Sequence, residues 1–194
     1  MIYQCGFKQQ PWDWIDDNVL LGSMPYHPHI EKLSEMGIEY SINMTWIYDP
    51  GLLFSQYNIE QLRLPTLDHY EPTLQSINKA IDFISKAVEE GKKVYIFCKG
   101  KKKKSNFQQP LNFHKGGHGR SAAIAYCWLL KSTGKSLEET QKLINSKRHV
   151  RKSLYKQDNI KTFYYLLQSP KLEEDEILID DKTNPNETPN KKLL

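Results

Sequence analysis

Two apolar runs constrain this chain more than any other feature. Val94–Phe97 is four consecutive apolar residues ending at Cys98, and Ala122–Leu130 is nine consecutive apolar residues preceded by Gly116, Gly117, Gly119, Arg120 and Ser121. A short run with no polar alternation reads as a strand buried on both faces, which requires a sheet with helices on each side. Nine residues fall far short of the roughly 20 needed to cross a bilayer. The second run therefore predicts a central, buried helix over 121–133, and no transmembrane segment is expected.

The remaining apolar pattern alternates in the same way. Asn18–Gly22, Ile38–Met44 and Gln61–Leu64 read as strands, and Ile30, Leu33 and Met36 form a helix face closed by Gly37. Ser76–Glu90 places Ile77, Ile81, Ile84 and Val88 on one face, after Pro72 and before Gly91. Ser136-Leu137-Glu138-Glu139 is a capping box that opens a further helix, and Ile160, Phe163, Tyr164 and Leu167 stripe a last one. Trp12 and Trp14 are expected to be packing anchors, and His27 and His29 to flank Pro28 in a turn. The fold class expected is α/β, a central mostly parallel sheet flanked by helices.

With 194 residues, 39% of them apolar, the chain has the size and composition of one domain. Residues 1–10 are expected to be a flexible N-terminus, 11–170 the folded domain with an inserted loop at 101–116, and 171–194 a solvated, disordered tail rich in acids and in Asn-Pro and Thr-Pro pairs. The three cysteines, Cys5, Cys98 and Cys127, are odd in number and widely spaced, so neither a disulfide framework nor a metal site is expected. The first ten residues show no apolar signal region and the first arginine is Arg63, which makes a cytosolic location the default. A monomer without cofactors is expected.

The chemistry gathers where the buried strand meets the buried helix. The carboxyl end of a central strand, followed by a glycine-rich turn into a helix, is where backbone N–H groups converge on anions. Cys98 at that end would have its thiolate, the nucleophilic form, stabilised by those groups. Arg120 offers a planar fork of donors matched to two phosphate oxygens. Yet 21 residues separate Cys98 from Arg120, where a cradle around one phosphate needs about five. Removing sixteen residues between Lys99 and Gly117 leaves Cys-Lys-Gly-Gly-His-Gly-Arg-Ser.

That remainder resembles the Cys-x5-Arg-Ser signature of the cysteine-dependent phosphatases. The resemblance extends over roughly 11–168 through Trp12-Asp13-Trp14-Ile15-Asp16, Val19-Leu20-Leu21-Gly22-Ser23-Met24-Pro25, Ile42-Asn43-Met44 and Leu64-Pro65-Thr66-Leu67-Asp68. The resemblance is to the dual-specificity phosphatases related to the mitochondrial phosphatidylglycerophosphate phosphatase. It implies that Cys98 is the nucleophile, that Arg120 clamps the phosphoryl group, that Asp68 protonates the leaving oxygen and then activates water, and that Ser121 helps release the thiolate. Lys99, Gly117, His118, Gly119 and Arg120 would bind the phosphate. The substrate implied is a phosphoprotein side chain or an anionic phospholipid headgroup, and mitochondria become a second candidate compartment. Two positions differ from the family: Phe97 replaces the histidine that usually precedes the cysteine, and Thr45-Trp46 replaces an acidic pair.

Plainer readings exist for each residue. Asp68 could be a turn residue before Pro72, and Cys127, on the core helix, is expected to be inert. The lysine run Lys101–Lys104 has no interleaved aromatics and matches no nucleic-acid motif, so no nucleic acid is expected as a partner. Because the insertion interrupts the phosphate loop, a catalytically impaired module that binds phospho-ligands is the alternative to an enzyme. Lys99-Gly100 and Lys115-Gly116 bracket the segment, so its excision at either glycine leaves the same sequence, as would removal of a 48-base in-frame intron. Of the formal charge of +4, five lysines lie in Lys101–Gly116; without them 22 basic residues face 23 acidic ones.

Overall fold

A computed structural model of the chain describes residues 11–99 and 116–169. The expectations for 1–10, for the tail and for all of the insertion except Gly116 lie outside these residues. Five strands form one sheet in the order β1-β2-β5-β3-β4, from β1 (Trp12–Trp14), β2 (Val19–Ser23), β3 (Ile38–Asn43), β4 (Glu60–Arg63) and β5 (Lys93–Cys98). Only β1 runs antiparallel to its neighbour; β2, β5, β3 and β4 are mutually parallel. The expected mostly parallel sheet flanked by helices is the one observed.

Helices cover both faces, which is why the strands are apolar throughout. On one face lie α1 (His27–Glu35) and α2 (Gly51–Gln56), whose Ile30, Leu33 and Phe54 pack on Leu20, Tyr95 and Phe97. On the other lie α3 (Leu74–Glu89), α4 (Arg120–Thr133), α5 (Leu137–Lys147) and α6 (Asp158–Gln168), packed on Val19, Leu21, Ile42, Val94 and Ile96. All of Ala122–Leu130 is buried, as the apolar run requires. Ser136 and Glu139 form the expected capping box, each side chain satisfying the other's backbone N–H.

Several boundaries differ from expectation. His27 and Pro28 are not in a free turn but open α1, since proline's fixed φ suits a first helical turn. Leu167 does not join the buried stripe of α6 and is 38% exposed. β1 and α2 went unread because three and six residues are too few to show a period. Phe97 stacks on Tyr95 with ring centroids 5.5 Å apart and faces α1 and α2, so the residue that departs from the resemblance serves the core.

Candidate active site

The carboxyl ends of β2, β3, β4 and β5 share one edge of the sheet, with Ser23 beside Cys98, and Asn43 beside both Phe97 and Arg63. Cys98 closes β5, the central strand, and is buried. Gly119 caps the N-terminus of α4, and Arg120 and Ser121 are its first two residues. The Ser121 hydroxyl donates to Cys98 Sγ across 3.1 Å. Such a donor stabilises charge on sulfur more than it stabilises a neutral thiol.

Arg120 is 7% exposed and held by backbone oxygens from three loops. Its Nη1 donates to Thr66 O at 2.7 Å and Met44 O at 3.4 Å, and its Nη2 to Lys99 O at 2.9 Å. The Asp68 carboxylate lies 3.2 Å from Nη2 and is far more exposed, at 55% of its side chain. Sequence positions 44, 66, 68 and 99 thus converge on the Arg120 guanidinium at the sheet edge.

The glycines are where the backbone crowds. A Cβ on Gly116 would stand 2.8 Å from Cys98 O and 2.6 Å from the Ser23 Cβ, and Gly117 has φ +79° with Gly22 O 2.6 Å from where its Cβ would be. No L side chain fits either position without displacing backbone. Gly116 therefore lies against Cys98 although seventeen residues intervene between them, and Lys99 is within reach of Arg120. Both flanks of the insertion are anchored at the site.

His118 does not present a bare ring there: its Nδ1 is hydrogen-bonded to His149 O, and the two imidazoles meet edge to face at 5.7 Å. Lys99 is exposed, with only its carbonyl bound to Arg120. Sequence reasoning missed Arg148. It is 6% exposed at the end of α5, donates to Gly116 O at 2.8 Å and to Asp13 Oδ2, and so ties the backbone at Gly116 to β1. A lone arginine some thirty residues beyond the motif gives no local signal of such a role. Cys127 is fully buried and its thiol is pushed up far beyond the ordinary range by desolvation, in keeping with an inert core residue.

The chain is similar in sequence and in fold to known phosphatases. No family model matches the chain. It is 30% identical over 124 residues to phosphatidylglycerophosphate phosphatase PTPMT2 of Arabidopsis thaliana, covering 62% of this chain and 47% of that protein. It is 32% identical over 138 residues to phosphatidylglycerophosphatase and protein-tyrosine phosphatase 1 of Mus musculus, covering 66% of this chain and 63% of the relative. The chain thus spans less than two thirds of the length of these relatives. The crystal structure of PTPMT1 in complex with PI(5)P superposes with a TM-score of 0.67 at 25% identity, covering 82% of this chain and 97% of that one. Human DUSP28 shares the fold at a TM-score of 0.63 and 20% identity.

Proposed function

We propose that this chain, a relative of the dual-specificity cysteine phosphatases akin to the phosphatidylglycerophosphate phosphatases, hydrolyses phosphomonoesters through a phosphocysteine intermediate, with an anionic phospholipid headgroup as its substrate. The observation that carries the reading is the buried Cys98 sulfur, which accepts from Ser121 at 3.1 Å beside an Arg120 fork fixed by three backbone carbonyls. A nucleophile, its stabilising donor and a charge clamp are preorganised before any ligand arrives, which is where most catalytic electrostatics originates.

In the first step the Cys98 thiolate attacks phosphorus, an S–P bond forms, and the bond from phosphorus to the leaving oxygen breaks. Asp68 gives that oxygen its proton. Arg120 and the loop N–H groups balance charge on the equatorial oxygens. In the second step Asp68, now a carboxylate, takes a proton from water as the water attacks phosphorus. The S–P bond breaks, its electrons return to sulfur, and Ser121 donates to the re-formed thiolate. Inorganic phosphate leaves and no redox partner is needed.

The lipid substrate is supported by the names of the relatives and by the PI(5)P complex of a structural neighbour. The expected outcome is turnover of both p-nitrophenyl phosphate and a phosphatidylglycerophosphate in detergent micelles, with a phosphotyrosine peptide as the poorer substrate. Cys98→Ser abolishes turnover while retaining phosphate-ester binding. Full activity of Cys98→Ser removes the nucleophile assignment, and phospho-ligand binding without turnover by the unaltered chain makes it a binding module instead.

A further inference from the structure

The loops that follow the parallel strands do more than hold Arg120. Trp46 and Ile47, after β3, are 52% and 86% exposed, and Leu67 and Tyr70, after β4, are 46% and 67% exposed. Single exposed apolar residues are ordinary. These four share the sheet edge that carries Cys98, because Met44 O and Thr66 O, just ahead of each pair, both bind Arg120. The β3–α2 loop is also braced by a polar network. Asn43 Nδ2 donates to Tyr48 O at 2.9 Å, Asn43 Oδ1 accepts from Thr45 N at 2.8 Å, and Tyr48 Oη donates to Pro25 O at 2.6 Å. Asn43 and Thr45 are buried, so Trp46 and Ile47 form the apex of a braced turn.

Basic side chains lie at the same end of the sheet. Lys99 is exposed beside Cys98, and Arg151, also exposed, donates its backbone N–H to His118 O at 2.9 Å and brings Nη2 to 3.7 Å from where a Cβ on Gly119 would stand. Exposed apolar side chains that include a Trp and a Tyr, together with exposed cations at the same end of the sheet, suit a headgroup layer: aromatics partition there, and cations meet lipid phosphates. The apolar groups lie on two separate loops, after β3 and after β4.

We infer that the Cys98 edge is a docking surface for an anionic bilayer, with Trp46, Ile47, Leu67 and Tyr70 entering the headgroup layer and Lys99 and Arg151 contacting lipid phosphates. This deepens the lipid reading of the site and rests on it for the ligand delivered to the pocket. The test uses the full chain and vesicles of phosphatidylcholine with or without phosphatidylglycerol. The chain should float with the anionic vesicles, and the Trp46→Ser/Ile47→Ser variant, altered only at exposed positions, should lose affinity for them by roughly tenfold or more. Its hydrolysis of vesicle-held phosphatidylglycerophosphate should fall by the same factor at low lipid, with p-nitrophenyl phosphate turnover unchanged.

Unaltered vesicle affinity in the double variant overturns the docking surface. So does an equal loss on p-nitrophenyl phosphate, which would assign the loop to the pocket, or a selective loss on a soluble phosphopeptide, which would assign it to a protein partner. Micellar lipid hydrolysis without vesicle binding sinks docking alone. Rim-dependent vesicle binding without hydrolysis of any phosphomonoester sinks the catalytic reading alone.

Discussion

Asp68 and Arg120 divide their work by burial. Arg120 is enclosed and its donors are committed to Thr66 O, Met44 O and Lys99 O, so its plane is set by the backbone; Asp68 touches Nη2 at 3.2 Å from the solvent side. An arriving phosphate would compete with Asp68 for Nη2, leaving that carboxyl beside the leaving oxygen. Replacing Asp68 by Asn keeps its size and removes the transferable proton. For an alkyl ester such as a lipid phosphate, the first step should slow by about 10²–10⁴-fold. For p-nitrophenyl phosphate, whose phenolate departs without help, first-turnover release should fall much less. Single-turnover kinetics on both substrates check this, and equal losses on the two would leave Asp68 without the acid role. In sequence the Leu64-Pro65-Thr66-Leu67-Asp68 block favours the acid role of Asp68 over a turn residue, but only through the resemblance. The contact with Arg120, 52 positions away, is what only folding supplies.

At the scale of elements, long buried pieces were legible and short bracing pieces were not. The nine-residue apolar run announced α4, and the four-residue run announced β5, because full burial removes any need for polar alternation. β1 has three residues, and its Asp13 looks like a surface acid in sequence. Yet β1 and the end of α5 carry the two ends of one clamp, in which Arg148 bonds both Asp13 and Gly116 O. Arg148→Met keeps the length and burial of the side chain but strands a carbonyl and a carboxylate. The expected result is a loss of about 1–3 kcal/mol in chemical denaturation. A fall in kcat on p-nitrophenyl phosphate with little change in KM should accompany it, because the loop would be misplaced while charge in the pocket is retained. Arg148→Lys should restore part of both. If Arg148→Met alters neither stability nor kcat, the clamp does not hold the loop.

At the scale of the whole molecule, we propose that the segment between Lys99 and Gly116 sets how fast the site can work. The 21 residues between Cys98 and Arg120 locate it in the sequence, and the repeated Lys-Gly pairs set its ends, but neither says how the two flanks are held. Lys99 O is fixed by Arg120 and Gly116 O by Arg148, with Gly116 packed on Cys98, so each flank is held independently of what lies between. Closing a loop of sixteen residues costs only about 2.5 kcal/mol, which a folded domain tolerates. Tolerance of the fold is not tolerance of the chemistry, because an uninterrupted turn must aim successive N–H groups at one phosphate and errors near 1 Å are costly. Excising 100–115 joins Lys99 to Gly116 and yields Cys98-Lys99-Gly116-Gly117-His118-Gly119-Arg120, with both anchoring residues kept. The shortened chain, of 178 residues and net charge −1, should unfold at higher denaturant and turn over p-nitrophenyl phosphate at least about tenfold faster than the full chain. If the segment is a translated intron, mature transcripts should lack its 48 bases. Equal kcat for the two forms would show that the loop works as interrupted, and transcripts that all retain the 48 bases would make the insertion a genuine part of the protein.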